Sequence, residues 1–224
     1  MMDWQVVMPW VGPEWTLREC FASMGAIDVP FLMVDNSPDG ASKNMELGVE
    51  AEFYPFNLGI AASWNRGLDY KARWTLILSA SMRFGKGLTH FIEEASHWAN
   101  DFGLYTNCGF HCVVIGKETV SRVGAFDENI WPAYKEDSDA MRRMKLAGIE
   151  LPQYRDPNIS FAGDAIAVRS GAVPDQCAEQ RCKYYMDKWG GVEHSEKFTH
   201  PFGNPDLPLS FWPVLEKPGR PYFY

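Results

Sequence analysis

Three acids, Glu136, Asp137 and Asp139, open the run Glu-Asp-Ser-Asp-Ala-Met-Arg-Arg-Met-Lys-Leu-Ala-Gly that closes at Gly148. Ala140, Met141, Met144 and Ala147 recur at helical spacing and predict a buried stripe. Asp137 stands four residues before Met141 and seven before Met144, which places it at the N-terminal end of that stripe. Burial disfavours a charge there, and the free N–H groups of a helix start favour it. A carboxylate held ionised, fixed and partly dry is suited to removing a proton as a general base. Asp139 is expected on the outer face, paired with Arg142 and Arg143. The competing reading is that these acids only begin a helix. A loop with Gly124, Phe126, Asp127 and Glu128 precedes them, followed by Trp131 and Tyr134 around Pro132.

Other residues of chemical interest lie upstream. Asp35 follows an apolar run and could accept hydrogen bonds from a base or a ribose. Asn57-Leu58-Gly59 precedes a helical stretch, and Asn65-Arg66-Gly67 lies within it. Gly59 allows close backbone approach to a ligand, and Arg66 could meet a base or a phosphate. The local alternative is a cap at Asn57 and a turn at Gly59.

The elements that must position these residues alternate. Strands are predicted at Gln5–Met8, Pro30–Val34, Glu52–Pro55, Trp74–Leu78, Gly103–Thr106 and Cys112–Ile115. Helices are predicted at Glu14–Met24, Ile60–Ala72, Leu88–Trp98, Lys117–Val123 and Gln176–Trp189, with a loop from Ser79 to Gly87. The pattern implies an α/β fold with a mostly parallel sheet flanked by helices. Ligands of such sheets sit beyond the carboxyl ends of the strands, which selects Pro9-Trp10, Asp35-Asn36 and Ser79 to Arg83. Residues 1–191 read as one domain. Residues 192–224, rich in proline and aromatics, read as an arm packed over that domain or onto a second copy in a homodimer.

Composition bounds the rest. The 224 residues are 46% hydrophobic with a net charge of -8, a globular balance that disfavours a nonspecific grip on nucleic acid. No apolar stretch is long enough to span a bilayer, and the N-terminus lacks the marks of a signal peptide. Five cysteines, an odd number, fit reduced thiols in a cytoplasmic protein. Their spacing with His111 fits no zinc finger.

Taken together, the motifs resemble those of the family 2 glycosyltransferases of the GT-A fold. Val6-Val7-Met8-Pro9 is similar to the family's first strand, and Val34-Asp35-Asn36-Ser37-Pro38-Asp39-Gly40 to its second-strand turn. Residues 57–67 resemble its Asn-x-Gly helix, residues 124–139 its acceptor loop and catalytic acid, and residues 184–191 a late element of many bacterial members. The resemblance implies inverting transfer from a nucleotide-sugar donor, linked to UDP, GDP or dTDP, to an acceptor hydroxyl. Asp137 would be the base. Asp35 would hold the nucleoside, with Pro9, Asn36, Asn57, Gly59, Asn65 and Arg66 around it, and the two carboxylates would face one hollow. Trp131, Tyr134, Glu136 and Trp189 would border the acceptor, Trp189 being equally a core residue. The family's metal-binding Asp-x-Asp is replaced by Ser79-Ala80-Ser81, so manganese or magnesium has no assignable ligand there. Arg83, Lys86 or Arg66 could instead neutralise the departing diphosphate. Two alternatives stand beside this reading. One is a sugar nucleotidyltransferase, although Pro9 to Glu14 lacks that class's Gly-rich loop. The other is a carbohydrate- or nucleotide-binding domain without catalysis.

Overall fold

The computed structural model describes residues 3–37, 40, 42, 45–54, 56–68, 72–162 and 178–214. Seven strands form one sheet in the order β3-β2-β1-β4-β7-β6-β8. They are β1 (Trp4–Trp10), β2 (Phe31–Asp35), β3 (Glu50–Phe53), β4 (Trp74–Leu78), β6 (Gly103–Thr106), β7 (Cys112–Gly116) and β8 (Gln153–Tyr154). The pairs β3-β2, β2-β1, β1-β4 and β6-β8 are parallel, and β7 runs antiparallel to both its neighbours. The expected mixed, mostly parallel sheet is therefore present.

Alternation along the strands divides the core in two, because successive side chains point to opposite faces. Met8, Met33, Leu76 and Val114 pack on one face with Leu17 of α1 (Glu14–Met24) and Phe91 of α3 (Leu88–Trp98). Val7, Val34, Ile77 and Val113 pack on the other. There they meet Trp64 of α2 (Ile60–Gly67), Val120 of α4 (Lys117–Val123), and Ala140 and Met144 of α5 (Glu136–Leu146). All five residues of β4 are buried, as expected of a strand covered on both faces. The last helix, α6 (Ala178–Trp189), carries the wholly buried Lys188 and Trp189. No helix among the described residues is long and apolar enough to cross a membrane.

Three sequence expectations need correction. Residues 79–87 are not all loop. Met82–Phe84 form β5, which pairs antiparallel with β9 (Ile159–Phe161), a partner too distant in sequence to reveal so short a strand. Helix α2 stops at Gly67, where Leu68 caps it and turns into the core. Gly67 itself is required by packing, since a Cβ there would lie 2.2 Å from Cβ of Val7.

The third correction concerns α5. Its inward face is Glu136, Asp139, Ala140, Arg143 and Met144, whereas Met141 is 43% exposed. Asp139 lies in the interior, not on the outer face. Hydropathy misassigns this stripe because its charged members neutralise one another inside the protein. After α6, residues 192–214 run back over their own domain. Phe198 donates its amide to the Trp189 carbonyl at 3.0 Å, and Asn129 Nδ2 donates to the Pro213 carbonyl at 2.8 Å. Residues 215–224, with Pro218, Pro221 and the terminal aromatics, lie outside the described residues, as does the expected start of α6 at Gln176.

Candidate active site

A cavity of about 470 Å³ opens beyond the carboxyl ends of β1 and β4. Its size is typical of a small-molecule site. Pro9, Trp10 and Val11 form one side, and the turn Ser79-Ala80-Ser81 another. Tyr105 at the end of β6 and the turn Cys108 to His111 close a third side. Ile60 and Trp64 of α2 face the start of α5, where Ala133, Tyr134, Glu136 and Asp137 complete the wall.

The entry to α5 is strained in a way that aims these acids. Tyr134 and Lys135 both adopt left-handed backbone, with φ of 71° and 83°. Each non-glycine residue in that region costs on the order of 1–3 kcal/mol, so surrounding contacts must enforce it. Lys135 is held by Glu193 at 2.8 Å, and Arg181 lies 5.3 Å over the Tyr134 ring. Asp137 Oδ1 accepts the Ser138 amide at 2.7 Å. Among the described residues, Oδ2 of Asp137 accepts no hydrogen bond. Tyr105 stands close enough that the Asp137 charge, after burial, helps raise its phenol pKa.

Glu136 behaves differently from its neighbour. Burial, then the Asp137 charge, push its pKa up to about 8. Among the described residues, its buried Oε2 has no hydrogen-bond partner. Glu136 thus keeps its proton at neutral pH. An acid whose pKa is raised on folding binds more protons folded than unfolded between its two pKa values. Its contribution is therefore most favourable below the unfolded value and is lost as pH rises to about 8. Glu136→Gln removes this penalty. The stability advantage of the variant over the parent should grow between pH 5 and pH 8 by about 3–4 kcal/mol. Paired melting curves at the two pH values check this, and an unchanged difference would refute it.

Beneath the wall lies a buried ion network. Lys188 Nζ contacts Asp127 Oδ2 at 2.8 Å and Asp139 Oδ1 at 2.7 Å, with all three side chains fully buried. Arg143 meets Asp139 Oδ2 at 2.8 Å, and Trp189 Nε1 donates to Asp139 Oδ1 at 2.9 Å. Tyr184 donates its hydroxyl to Asp127 Oδ2 at 2.8 Å. Burial acts to raise the Asp139 pKa, but Arg143 and Lys188 outweigh it and hold the group below its ordinary value. The network joins α6, α5 and the loop that bears Asp127. It thereby fixes the segment carrying Tyr134, Glu136 and Asp137.

The residues singled out in the sequence divide into two groups. Pro9, Ser79, Ser81, Tyr134, Glu136 and Asp137 meet around the cavity. The others hold the frame. Asp35 is fully buried, and its two oxygens accept the amides and hydroxyls of Ser37 and Ser42. It braces its own loop and does not share the hollow of Asp137. Asn36 binds the Ser63 hydroxyl and the Leu58 amide. Asn65 clasps the Phe126 backbone at 2.8 and 2.9 Å. Asn57 accepts the Gly59 amide on its side chain and the Trp131 indole N–H on its carbonyl. Gly59 has φ 82°, and a Cβ there would lie 2.5 Å from the Trp131 ring, so glycine and tryptophan interlock. Trp189 is fully buried against Asp139, so its ring has no face to offer a sugar.

The cations proposed for a diphosphate are placed elsewhere. Arg66 pairs with Glu52 at 2.9 Å, Arg83 pairs with Glu19, and neither lines the cavity, nor does the exposed Lys86. Ser79 and Ser81 have their hydroxyls 2.7 Å apart. A divalent cation at that turn would find hydroxyl and backbone oxygens but no carboxylate, a poor donor set for a hard ion. Among the described residues, no group of three or more His, Cys, Asp or Glu is arranged to hold a metal. Sequence reasoning missed Trp64, Tyr105 and the turn Cys108 to His111. The strand-end rule could have found the last two, since the β6-β7 connection opens at the same end of the sheet.

Comparison with known proteins sharpens this picture. No protein-family model matches the sequence, and no curated protein does. Solved structures do match. The mannosyltransferase PcManGT from Pyrobaculum calidifontis, in complex with GDP-Man and Mn2+, aligns with TM-score 0.56 and 14% identity over 82% of this chain and 69% of that one. S. aureus TarS 1-349 in complex with UDP aligns with TM-score 0.55 and 12% identity over 84% and 71% of the two chains. In a structure of S. aureus TarS with a longer chain, the match spans only 36% of that chain. At such identities the likeness is one of fold. The chain has the GT-A-type fold of these transferases.

Proposed function

We propose that the protein is an inverting glycosyltransferase that moves a sugar from a nucleotide-sugar donor to an acceptor hydroxyl. One observation carries the reading. In a GT-A-type fold, Asp137 stands in the wall of a cavity of about 470 Å³ at the carboxyl ends of β1 and β4. Strand ends of this kind are where open α/β sheets bind nucleotides.

In this mechanism the acceptor O–H gives its proton to Asp137. Its oxygen then forms a bond to the anomeric carbon from the side opposite the nucleotide. The bond from that carbon to the diphosphate oxygen breaks, and its electron pair leaves with the nucleoside diphosphate. Glu136 remains protonated and serves as a hydrogen-bond donor, so the acid–base labour divides between two adjacent carboxyls. With Asp35 occupied by its own loop, the nucleoside is assigned to the side formed by Pro9, Trp10 and Val11. The residues at Ser79 to Ser81 do not suit a resident divalent cation, and no step is routed through one.

A thermal-shift panel of UDP-, GDP- and dTDP-sugars tests the reading, each run with manganese and with EDTA. A donor that binds only the folded protein at 100 times its Kd adds about 2.7 kcal/mol, a shift of several degrees. The expected result is a rise with at least one donor, equal in both conditions. A rise seen only with manganese would place metal ligands outside the described residues. The serine turn also favours a second reading, a sugar-binding domain without catalysis. That reading predicts the same thermal shift with no transfer.

A further inference from the structure

The polar side chains of the cavity wall divide by whether a ligand can reach them. Trp64 Nε1 and Glu136 Oε2 are sealed from solvent. Thr16 accepts the Trp10 indole N–H at 3.3 Å and donates to the Pro13 carbonyl at 2.8 Å, and the hydroxyls of Ser79 and Ser81 meet each other. The His111 ring stacks on Phe161, and the Tyr134 ring lies under Arg181. Asp137 and Tyr105 differ from these. Among the described residues, neither Asp137 Oδ2 nor the Tyr105 hydroxyl has a hydrogen-bond partner, and neither belongs to the sealed set. Both atoms are therefore open in the wall of one cavity.

The fold holds the Tyr105 hydroxyl in place and keeps it clear. Tyr105 lies on β6 between β7 and β8, and its amide donates to the Pro152 carbonyl at 2.9 Å. Its ring meets Phe110 edge-on at a centroid distance of 6.0 Å. Its oxygen stands over Gly109, where the backbone is left-handed with φ 55° and a Cβ would lie 3.3 Å from that oxygen. Glycine there leaves the hydroxyl uncovered. Burial, and then the nearby Asp137 charge, favour the protonated phenol. A carboxylate only accepts hydrogen bonds, whereas a phenol can donate.

This complementarity limits what the pair can hold. In the transfer set out above, Asp137 takes the proton of the reacting hydroxyl. A donor placed on that same oxygen would occupy the lone pair that attacks. The phenol is productive only on another hydroxyl of the acceptor. We propose that Tyr105 is an acceptor-binding residue, whose hydroxyl donates to a second acceptor hydroxyl beside the one that reacts at Asp137. The substrate class is then a polyol or sugar, not a molecule with an isolated hydroxyl. This inference rests on the transferase reading above and adds to it a residue that no motif marked.

The test pairs UDP-glucose and GDP-mannose as donors with methyl β-D-glucopyranoside, glycerol and propan-1-ol as acceptors. Binding of the glucoside is followed separately by saturation-transfer NMR. The parent should use glycerol with a kcat/KM at least about 3-fold above that for propan-1-ol. Tyr105→Phe keeps the ring and loses the hydroxyl. It should raise the KM for the glucoside and for glycerol about 3- to 10-fold, with kcat within about twofold and the donor KM unmoved. Its KM for propan-1-ol should not rise, a selectivity that a general loosening of the wall does not produce. Equal use of glycerol and propan-1-ol by the parent overturns the proposal, and this comparison does not depend on a variant folding. So does an equal rise in KM for both alcohols, or an effect confined to the donor KM. These outcomes leave the transferase reading standing. Glucoside binding that weakens in Tyr105→Phe, with no transfer to any acceptor, does the reverse. Neither binding nor transfer with any probe defeats both.

Discussion

Replacing Asp137 by asparagine should lower transfer by about 10²- to 10⁴-fold, the usual contribution of a positioned general base. Donor affinity should stay within about threefold, because the change removes a proton acceptor and not a shape. The geometry makes the expectation sharp. Asparagine can keep the hydrogen bond that Asp137 Oδ1 accepts from the Ser138 amide, so the helix start should survive. Nor can the neighbour substitute. Burial, the larger of the two causes that raise the Glu136 pKa, persists in the variant and continues to favour its protonated form. Single-turnover assays and calorimetry on the same preparation separate the two effects. Unchanged turnover in Asp137→Asn would remove the base from the mechanism.

Replacing Lys188 by methionine should be the most damaging change to stability. It leaves Asp127 and Asp139 buried with Arg143 as the remaining cation of the network. Stripping one partner from a buried ion network costs about 3–5 kcal/mol. For a chain of this size that corresponds to a fall in Tm of roughly 10–15 °C. Adding Asp127→Asn should recover part of the loss, since the two residues share one interaction and their effects are not additive. A melting point within about 2 °C of the parent would show that the network contributes little. The consequence reaches catalysis, because α6 then no longer braces the segment that aims Asp137.

Much of the frame was legible in the sequence because it depends on local patterning. Apolar runs such as Trp74–Leu78 and the helices at Glu14–Met24 and Leu88–Trp98 lie where periodicity put them. Asp137, Pro9 and the serine turn were found from a strand-end rule and a family resemblance, and they do line the cavity. What escaped was long-range. That Asp139 faces inward depends on Lys188, which lies 49 positions later and supplies the opposing charge. That Asp35 is consumed by Ser37 and Ser42 depends on how its loop closes, which residue types alone do not reveal. The Asn-x-Gly pairs were ambiguous between ligand and scaffold. The close approaches of Gly59 to Trp131 and Gly67 to Val7 give them a scaffold role. Trp64 reads as an ordinary core residue in the sequence, and only the fold brings it to the cavity wall.

The stereochemistry of the product tests the central claim most directly. Proton NMR of a reaction begun with an α-linked nucleotide sugar should show a β-glycosidic bond in the first product formed, the outcome of one displacement assisted by Asp137. An α-linked product would require retention and contradict Asp137 as the base of a single in-line transfer.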